Sequence, residues 1–316
     1  METSSPAMGV SNLEAFRVLV RTEGQRLYRD LPWRRTRDPY AIWLSEVMLQ
    51  QTQVPRVETR WAAWLEQFPS VFTLAEAPTS EVLAAWQGMG YNRRALALKS
   101  AAEQVVREYD GVFPREVKQL VALPGIGPAT AQGIRSFAFD LPGVYLETNV
   151  RTVVLHHLFP EMPVVPDKEL VPIVEAICPA ASGDFDASGG SFFNNPYAAP
   201  HDAQDTPRAW YYAMLDYGSF LKKTVPNPSR RSKAYTRQSK FEGSRRQKRA
   251  EIVRLLLDAQ ASGESALSEG VIHARLNDAE RAAGRDAVPA ALVRDLLDAL
   301  AREGFCRQVA EAWRIA

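Results

Sequence analysis

The turn Leu-Pro-Gly-Ile-Gly-Pro at residues 123–128 constrains the fold of this chain more than any other feature. Two segments with helical patterns, VKQLVAL and ATAQGIRSFAF, flank it. A connection this short requires a left-handed backbone or a close approach of two backbones, and glycine permits both. Because Gly125 and Gly127 have no side chains, N–H groups of the turn and of the next helix can point outward and bind phosphate oxygens. A tight corner without a ligand is the alternative interpretation.

Apolar residues at helical spacing dominate the first two-thirds of the chain, whereas strand signals are scarce there. Asp38 precedes Pro39, an order typical of a helix start, and the following segment AIWLSEVMLQQTQV therefore places Glu46 inside a helix. Gly, Ser, Asn, Asp and Pro cluster near residues 181–207, which indicates a long flexible loop. The pattern predicts an all-α domain over residues 1–222.

The remainder of the chain divides into a basic segment and a small domain. Between residues 222 and 249, eleven Lys or Arg residues accompany one acid, although the net charge of the 316-residue chain is +1. We predict a basic linker over 223–249, which either binds nucleic acid or is a solvated spacer. Residues 250–316 show three helical segments and then two short β-like pieces, the order of a winged-helix-like α+β domain. That domain carries eight Arg and eleven acids, so DNA binding and protein docking are both open for it.

Four segments together resemble the helix-hairpin-helix base-excision DNA glycosylases in order and spacing. They are SEVMLQQTQV (45–54), GMGYNRRALAL (88–98), LPGIGPATA (123–131) and ETNVRTV (147–153). Within that family the likeness is to the MutY-type adenine DNA glycosylases. It covers residues 28–160, extends more weakly to 222 and does not include the last seventy residues. The resemblance implies a two-lobed helix-hairpin-helix fold and an enzyme that removes a mispaired or damaged base, with adenine as the first expectation.

The resemblance also implies a catalytic set. Excision of a purine requires an acid that protonates the leaving base and an anion beside the cationic sugar, on a nucleotide extruded from the duplex. The resemblance assigns Glu46 as the acid and Glu147 as the anion, with Asn149 orienting acid and sugar. Burial beside Trp43 and Val47 would raise the pKa of Glu46, whereas a solvated helix face is the alternative. Because the family usually has Asp at the place of Glu147, a changed substrate and a binding-only protein are further alternatives.

Two turns are expected to contact the DNA. By the resemblance, Gln50 and Gln51 fill the gap left by the flipped base, unless they only form an exposed helix end. Tyr91 is expected to wedge beside the opposite base by stacking. Arg93 and Arg94 are expected either to contact phosphates or to lie on a solvated helix face.

The hairpin and the basic segment supply the remaining expected DNA contacts. Strand-nicking relatives carry a Schiff-base lysine at the position of Ala129, and alanine cannot form that bond. We therefore expect a monofunctional glycosylase without lyase activity, with water as the nucleophile. The expected DNA-backbone contacts are Gly125, Gly127, Ala129, Thr130, Arg230 and Arg231.

No cofactor is expected. The two cysteines, Cys178 and Cys306, are too few for an iron–sulfur cluster with four thiolate ligands, and no metal site is expected, although the hairpin is compatible with a monovalent cation. No apolar run is long enough to span a membrane. We expect a cytoplasmic, nucleoid-associated monomer whose partner is double-stranded DNA with a mismatch or a lesion. The alternatives are a mismatch glycosylase for uracil, thymine or hypoxanthine, and a structure-specific DNA-binding protein whose chemistry has decayed.

Overall fold

The structure, a computed structural model, describes residues 10–180, 205–237, 240–264 and 266–316. The loop predicted near 181–207 lies almost entirely outside these residues. Its last residue, Pro207, is already part of a helix, because the Thr206 hydroxyl accepts the N–H of Ala209 at 3.2 Å and so caps the helix start.

The described residues form mostly helices. The α-helices are α1 (Val10–Arg26), α2 (Pro39–Leu49), α3 (Val54–Gln67), α4 (Val71–Glu76), α5 (Thr79–Ala85), α6 (Arg93–Tyr109), α7 (Val117–Val121), α8 (Pro128–Phe139), α9 (Thr148–Leu158), α10 (Asp167–Ile177), α11 (Pro207–Thr224), α12 (Arg245–Ala261), α13 (Glu269–Ala282) and α14 (Ala290–Arg302). Two 3-10 helices are Pro32–Arg35 and Pro228–Arg231, and the strands are β1 (Leu267–Ser268), β2 (Cys306–Val309) and β3 (Ala312–Ile315). The predicted fold class, helical with a small α+β domain at the end, is confirmed.

Helix α2 begins where the sequence predicts. The carboxylate of Asp38 accepts the N–H groups of Tyr40 at 3.1 Å and Ala41 at 3.2 Å. These are two of the N–H groups that a helix start leaves without an intrahelical partner. Pro39 needs no such partner, and Glu46 consequently lies two turns into the helix.

The chain forms two compact units. The first unit takes the described residues of Met1–Glu46, Pro114–Ala122 and Ile126–Arg237. In it, α11 packs against both α1 and α9. Helix α11 buries most of one face in this packing. The buried side chains of that face include Trp210, Tyr211 and Met214.

A buried ion pair fixes α11 within the first unit. The Asp216 carboxylate accepts both terminal nitrogens of Arg34, at 2.7 and 2.8 Å, and the Nε and backbone N–H of Arg29. The side chains of Arg34 and Asp216 are 2% and 0% exposed. Two charges removed from water are tolerated here because the geometry is bidentate and the carboxylate is fully hydrogen-bonded.

We expect Asp216→Ala to destabilise the protein by about 3 to 5 kcal/mol, because it leaves the Arg34 guanidinium buried without its counter-charge. Chemical denaturation measures the change. Asp258→Ala is the control, since the Asp258 side chain is 57% exposed in its pair with Arg254 and such pairs contribute at most about 1 kcal/mol. Equal destabilisation by the two variants would contradict this account.

The second unit takes the described residues of Val47–Phe113, Leu123–Gly125 and Gln238–Ala316. Its C-terminal part packs α12, α13 and α14 around a core that includes Leu256, Ile272 and Leu297. The three strands form an antiparallel sheet in the order β1-β3-β2, with Cys306 opposite Ile315 and Leu267 opposite Trp313. The helices and the hairpin appear in the predicted order. Strand β1 was not predicted, because two residues give no alternating pattern to detect.

Part of the predicted linker is regular structure. Helix α12 begins at Arg245 because the Ser244 hydroxyl accepts the N–H of Gln247 at 3.2 Å and caps it. Residues 245–249 are therefore helical, and Pro228–Arg231 form a 3-10 turn. The density of basic residues indicated a spacer here. The serine at residue 244 is a local sequence signal for the start of a helix, and the prediction of the linker did not use it. The predicted domain boundaries themselves stay predictions.

Among the helices that the structure describes, none combines the length and the apolar character needed to cross a membrane.

Candidate functional site

Glu46 is a half-buried acid held by a tyrosine. The Tyr145 hydroxyl donates a hydrogen bond to Glu46 Oε2 at 2.9 Å. Gly133 of α8 lies against the same carboxyl group, and a Cβ at that position would be 2.3 Å from Oε2. The pKa of Glu46 is raised to about 8, mainly by burial; the hydrogen bond from Tyr145 opposes this rise, and the negative charge of Glu147 adds to it.

Glu147 is the N-cap of α9. Its Oε1 accepts the N–H groups of Asn149 at 2.5 Å and Val150 at 3.1 Å, and its Oε2 accepts the Asn149 side-chain amide at 3.4 Å. Burial raises the pKa of Glu147, while the charge of Lys222 and then these hydrogen bonds oppose that rise. The N-terminus of a helix favours a carboxylate in its ionised form, so this acid is fixed where an anion is stabilised.

The structure brings the predicted catalytic residues together. The charge of Glu147 acts on Glu46, and both acids act on the hydroxyl of Tyr145. Helix α11 supports the start of α9, since a Cβ at Gly218 would lie 2.3 Å from the Asn149 carbonyl oxygen. A group held protonated beside a group held as an anion can donate a proton to a leaving group while stabilising a nearby cation.

The hairpin turn has the backbone that its glycines permit. Gly125 has φ +74°, and a Cβ there would lie 2.7 Å from the Ala97 Cβ. Gly127 has φ −84° and opens onto free space, so no crowding demands glycine at this position. Ala129 is exposed, whereas Thr130 is buried. Binding of phosphate by this turn stays a prediction.

Gln50, Gln51 and Tyr91 lie in strained turns. Gln51 and Tyr91 have φ values of 58° and 50°, in the left-handed region that side chains other than glycine rarely adopt. Both glutamines are exposed, and Tyr91 is half-buried. Strain of this kind persists only where the surroundings impose it.

Arg94 imposes that conformation. It donates to the carbonyl oxygens of Val47 at 2.8 Å, Gln50 at 2.7 Å and Gly90 at 2.9 Å, which joins the end of α2 to the turn before Tyr91. Burial lowers the pKa of Arg94 to about 10. The sequence offered phosphate contact or a solvated face for this arginine, whereas its observed role is to bind backbone carbonyls.

Arg231 has a comparable structural role. Its guanidinium donates to the carbonyl oxygens of Leu155 at 2.5 Å, Pro160 at 3.1 Å and Phe159, and so satisfies acceptors at the end of α9. Arg230 is exposed. The assignment of both arginines as DNA contacts stays a prediction, and the contacts of Arg231 argue against it.

Sequence reasoning missed Tyr145, Gly133 and Lys222 as parts of the site. Tyr145 precedes Glu147 by two residues, and nothing in that spacing shows that its hydroxyl reaches α2. A glycine inside a helix, as Gly133 is in α8, does signal a close approach. Within the described ranges, no three His, Cys, Asp or Glu side chains cluster as metal ligands do. The expectations of no cofactor and of a cation-compatible hairpin stay predictions.

A family model matches the part of the chain that contains this site. Residues 44–172 match the model of the HhH-GPD superfamily of base excision DNA repair proteins, a range that contains both acids and the hairpin. This part of the chain belongs to the HhH-GPD superfamily. The resemblance inferred from the motifs is therefore confirmed.

The curated proteins that the chain resembles include two adenine DNA glycosylases. That of Mycolicibacterium smegmatis is 48% identical over 127 residues, which are 40% of this chain and 43% of the relative. That of Homo sapiens is 39% identical over 153 residues, which are 46% of this chain and 28% of the relative. The chain thus spans less than half the length of either relative.

A solved structure shares the fold. The structure of a thermostable thymine-DNA glycosylase superposes with a TM-score of 0.53 at 21% identity, and the match covers 75% of this chain and 94% of that one. At this identity the likeness concerns the fold alone.

The raised pKa of Glu46 predicts a pH-dependent effect of Glu46→Gln on stability. Because the folded protein holds this proton more tightly than the unfolded chain, the wild-type protein loses stability as the pH rises from about 4.5 to about 8. The glutamine variant lacks this loss. We therefore expect its melting temperature to exceed that of the wild type increasingly between pH 5 and pH 9. Glu66→Gln, at an exposed site on α3, is the control, and a constant difference for Glu46→Gln would refute the assignment.

Proposed function

We propose that the chain is a DNA glycosylase that hydrolyses the N-glycosidic bond of a mispaired adenine in base-excision repair. The observation that carries the proposal is the pair of coupled acids, of which Glu46 has a pKa raised to about 8. The membership of residues 44–172 in the HhH-GPD superfamily and the relatives that are adenine DNA glycosylases support the same reaction.

Glu46 acts as the general acid in this proposal. At neutral pH its carboxyl group is mostly protonated, and a proton placed on a ring nitrogen of the base turns the base into a better leaving group. The Tyr145 hydroxyl donates to Oε2, so the remaining oxygen of the carboxyl group carries the proton that is transferred. General acid catalysis of this kind contributes about 10² to 10⁴ in rate.

Glu147 stabilises the sugar. As the bond to the base breaks, positive charge develops on the deoxyribose, and a carboxylate fixed by the first N–H groups of α9 is available to stabilise it without reorganisation. Water then adds to the cation. Because alanine at residue 129 offers no amine for a covalent adduct, we propose that the enzyme is monofunctional and does not nick the strand.

An excision assay on end-labelled duplexes tests the proposal. The substrates carry A opposite 8-oxoguanine, A opposite G, U or T opposite G, and hypoxanthine opposite T, each analysed with and without alkali. We expect strand breaks at adenine after alkali only, with an excision rate that falls as the pH rises through about 8. Breaks without alkali would contradict the monofunctional assignment, and excision of a different base alone would favour the mismatch glycosylase for uracil, thymine or hypoxanthine.

Glu46→Gln is the decisive variant in that assay. It removes the proton donor and keeps the shape, so excision should fall by at least about a hundredfold while affinity for the duplex stays within a factor of about three. A variant that still excises at the wild-type rate would refute the role of Glu46. Binding without excision by the wild type would instead favour a DNA-binding protein whose chemistry has decayed.

Gly133→Ala tests the packing of the acid independently. A methyl group at this position would lie 2.3 Å from Glu46 Oε2 and must displace the carboxyl group, so we expect excision to fall about a hundredfold or more. Helix propensity favours alanine over glycine by about 1 kcal/mol, whereas overpacking of a buried site costs about 1 to 3 kcal/mol, so thermal unfolding verifies that the variant is folded. The control is Gly270→Ala in α13, where a Cβ meets open space. An unchanged rate in Gly133→Ala would show that the carboxyl group is not confined.

A further inference from the structure

The segment between α8 and α9 carries two side chains of the site. Tyr145, whose hydroxyl donates to Glu46, and Glu147, the N-cap of α9, lie two residues apart in it. Residues 141–147 belong to no helix or strand. Because buried backbone groups need hydrogen-bond partners, the position of both side chains depends on what the neighbouring helices offer to this segment.

Tyr211 of α11 bridges two backbone groups of the segment. Its hydroxyl accepts the N–H of Tyr145 at 3.1 Å and donates to the carbonyl oxygen of Gly143. A phenol has one O–H to donate and lone pairs with which to accept, so a single hydroxyl satisfies both groups. The side chain of Tyr211 is fully buried, and water therefore does not compete for these bonds.

Helix α8 closes the opposite side of the segment. A Cβ at Gly143 would lie 2.0 Å from Gln132 Oε1, so the backbone is already pressed against α8. The Tyr145 ring packs edge-to-face on two rings, with centroid distances of 5.2 Å to Phe137 and 5.3 Å to Tyr211. The segment is thus held between α8 and α11.

We propose that Tyr211 is a positioning residue for the catalytic pair. Its hydroxyl fixes the backbone of residues 143–145, which holds the Tyr145 hydroxyl on Glu46 and places Glu147 at the start of α9. The inference rests on the proposed function, since it concerns the acid of that reaction. Tyr211 acts through Tyr145 and not on the substrate.

The removal of the Tyr211 hydroxyl has a defined consequence for Glu46. The N–H of Tyr145 and the carbonyl group of Gly143 would lose their buried partner, which favours a shift of the segment. The hydrogen bond from Tyr145 opposes the rise in the pKa of Glu46 that burial causes. Without that bond the pKa rises further, so Glu46 becomes a weaker acid that keeps its proton to a higher pH.

The other titratable groups do not produce the same shift. Burial raises the pKa of each group that acts on Glu46 or lies beside the Tyr211 hydroxyl; these groups are Tyr145, Glu147, Tyr212 and Cys178. The phenols and the thiol therefore keep their protons at neutral pH, and Glu147 is the anion of the proposed mechanism. A change in the basic side of the pH profile consequently reports Glu46.

Single-turnover excision between pH 5 and pH 10, on a duplex with A opposite 8-oxoguanine, tests the proposal. We expect Tyr211→Phe to excise about ten to a hundred times more slowly at pH 7, because a displacement of about 1 Å is sufficient for such a loss. The midpoint of the decline at basic pH should lie higher than in the wild type. Affinity for the duplex should be unchanged, because Tyr211 is buried.

Tyr217→Phe is the matched control. Tyr217 lies on the same helix, and its largely buried hydroxyl forms a hydrogen bond with His157 Nε2 at 2.7 Å, so this variant loses a comparable bond elsewhere. It should keep the wild-type rate and midpoint, and thermal unfolding verifies that both variants are folded. A wild-type midpoint in Tyr211→Phe, or an equal shift in Tyr217→Phe, would overturn the proposal.

A double-mutant cycle shows whether Tyr211 acts through Tyr145. Tyr145→Phe removes the hydroxyl that contacts Glu46 and should raise the basic midpoint by itself. Adding Tyr211→Phe should then raise it no further, because the two residues belong to one hydrogen-bonded network. Shifts that add in the double variant would contradict an action through Tyr145.

Hydrogen exchange of the Tyr145 amide tests the geometry without any excision. This N–H should exchange slowly in the wild-type protein and faster in Tyr211→Phe, since the Tyr211 hydroxyl is its partner. Exchange at the rate of a free amide in the wild type would overturn the proposal, even if the variant did not fold.

These measurements separate the inference from the proposed function. If the wild type excises adenine but Tyr211→Phe shares its midpoint and amide exchange, the inference is wrong and the function stands. If the wild type excises no base, the function is wrong and melting temperatures decide. The gain from Glu46→Gln should level off above about pH 8 in the wild-type background and continue to grow in the Tyr211→Phe background; equal curves would overturn the inference.

Discussion

The confinement of two carboxyl groups in poorly hydrated surroundings is the constraint on which the site depends. Two neighbouring acids that are both removed from water cannot both ionise without a large cost, so one retains a proton. The surroundings decide which one. Glu147 receives two backbone N–H groups, the start of a helix and the nearby charge of Lys222, whereas Glu46 receives one phenolic hydroxyl. The proton therefore stays on Glu46, and the two roles that we propose for these acids follow from their unequal hydrogen bonding.

The hydrogen bonds of Glu147 also explain how a glutamate fits at the position where the family usually has an aspartate. The additional methylene group does not extend the carboxylate outward, because the side chain turns back to cap α9 and reaches the N–H groups of Asn149 and Val150. Close packing of α11 against this helix start, made possible by Gly218, holds Asn149 in place. The charge is thereby kept at the end of a helix, where the backbone dipoles stabilise it.

Several arginines elsewhere in the described part of the chain form hydrogen bonds or ion pairs with specific partners. Arg34 neutralises a buried aspartate, Arg231 satisfies carbonyl groups at the end of α9, and Arg94 holds two turns in left-handed conformations. Planar guanidinium groups with five donors suit these tasks better than lysine does. A count of basic residues along the sequence consequently overstates the number available for phosphate, because a charge already bound to backbone carbonyls is not presented to a ligand.

The sequence by itself determined that the first two-thirds of the chain is helical and that α2 begins after Asp38, since caps, glycine turns and apolar spacing are local properties. It also assigned Glu46, Glu147 and Asn149 to the proposed site, because their spacing within the motifs resembles a known family. Only the tertiary structure decided that Tyr145 donates to Glu46, that Gly133 confines it and that Arg246 contacts Tyr91, 155 residues away in the chain. Contacts between distant segments depend on how the helices pack. A single sequence gives the identity of every residue but does not show which distant residues meet.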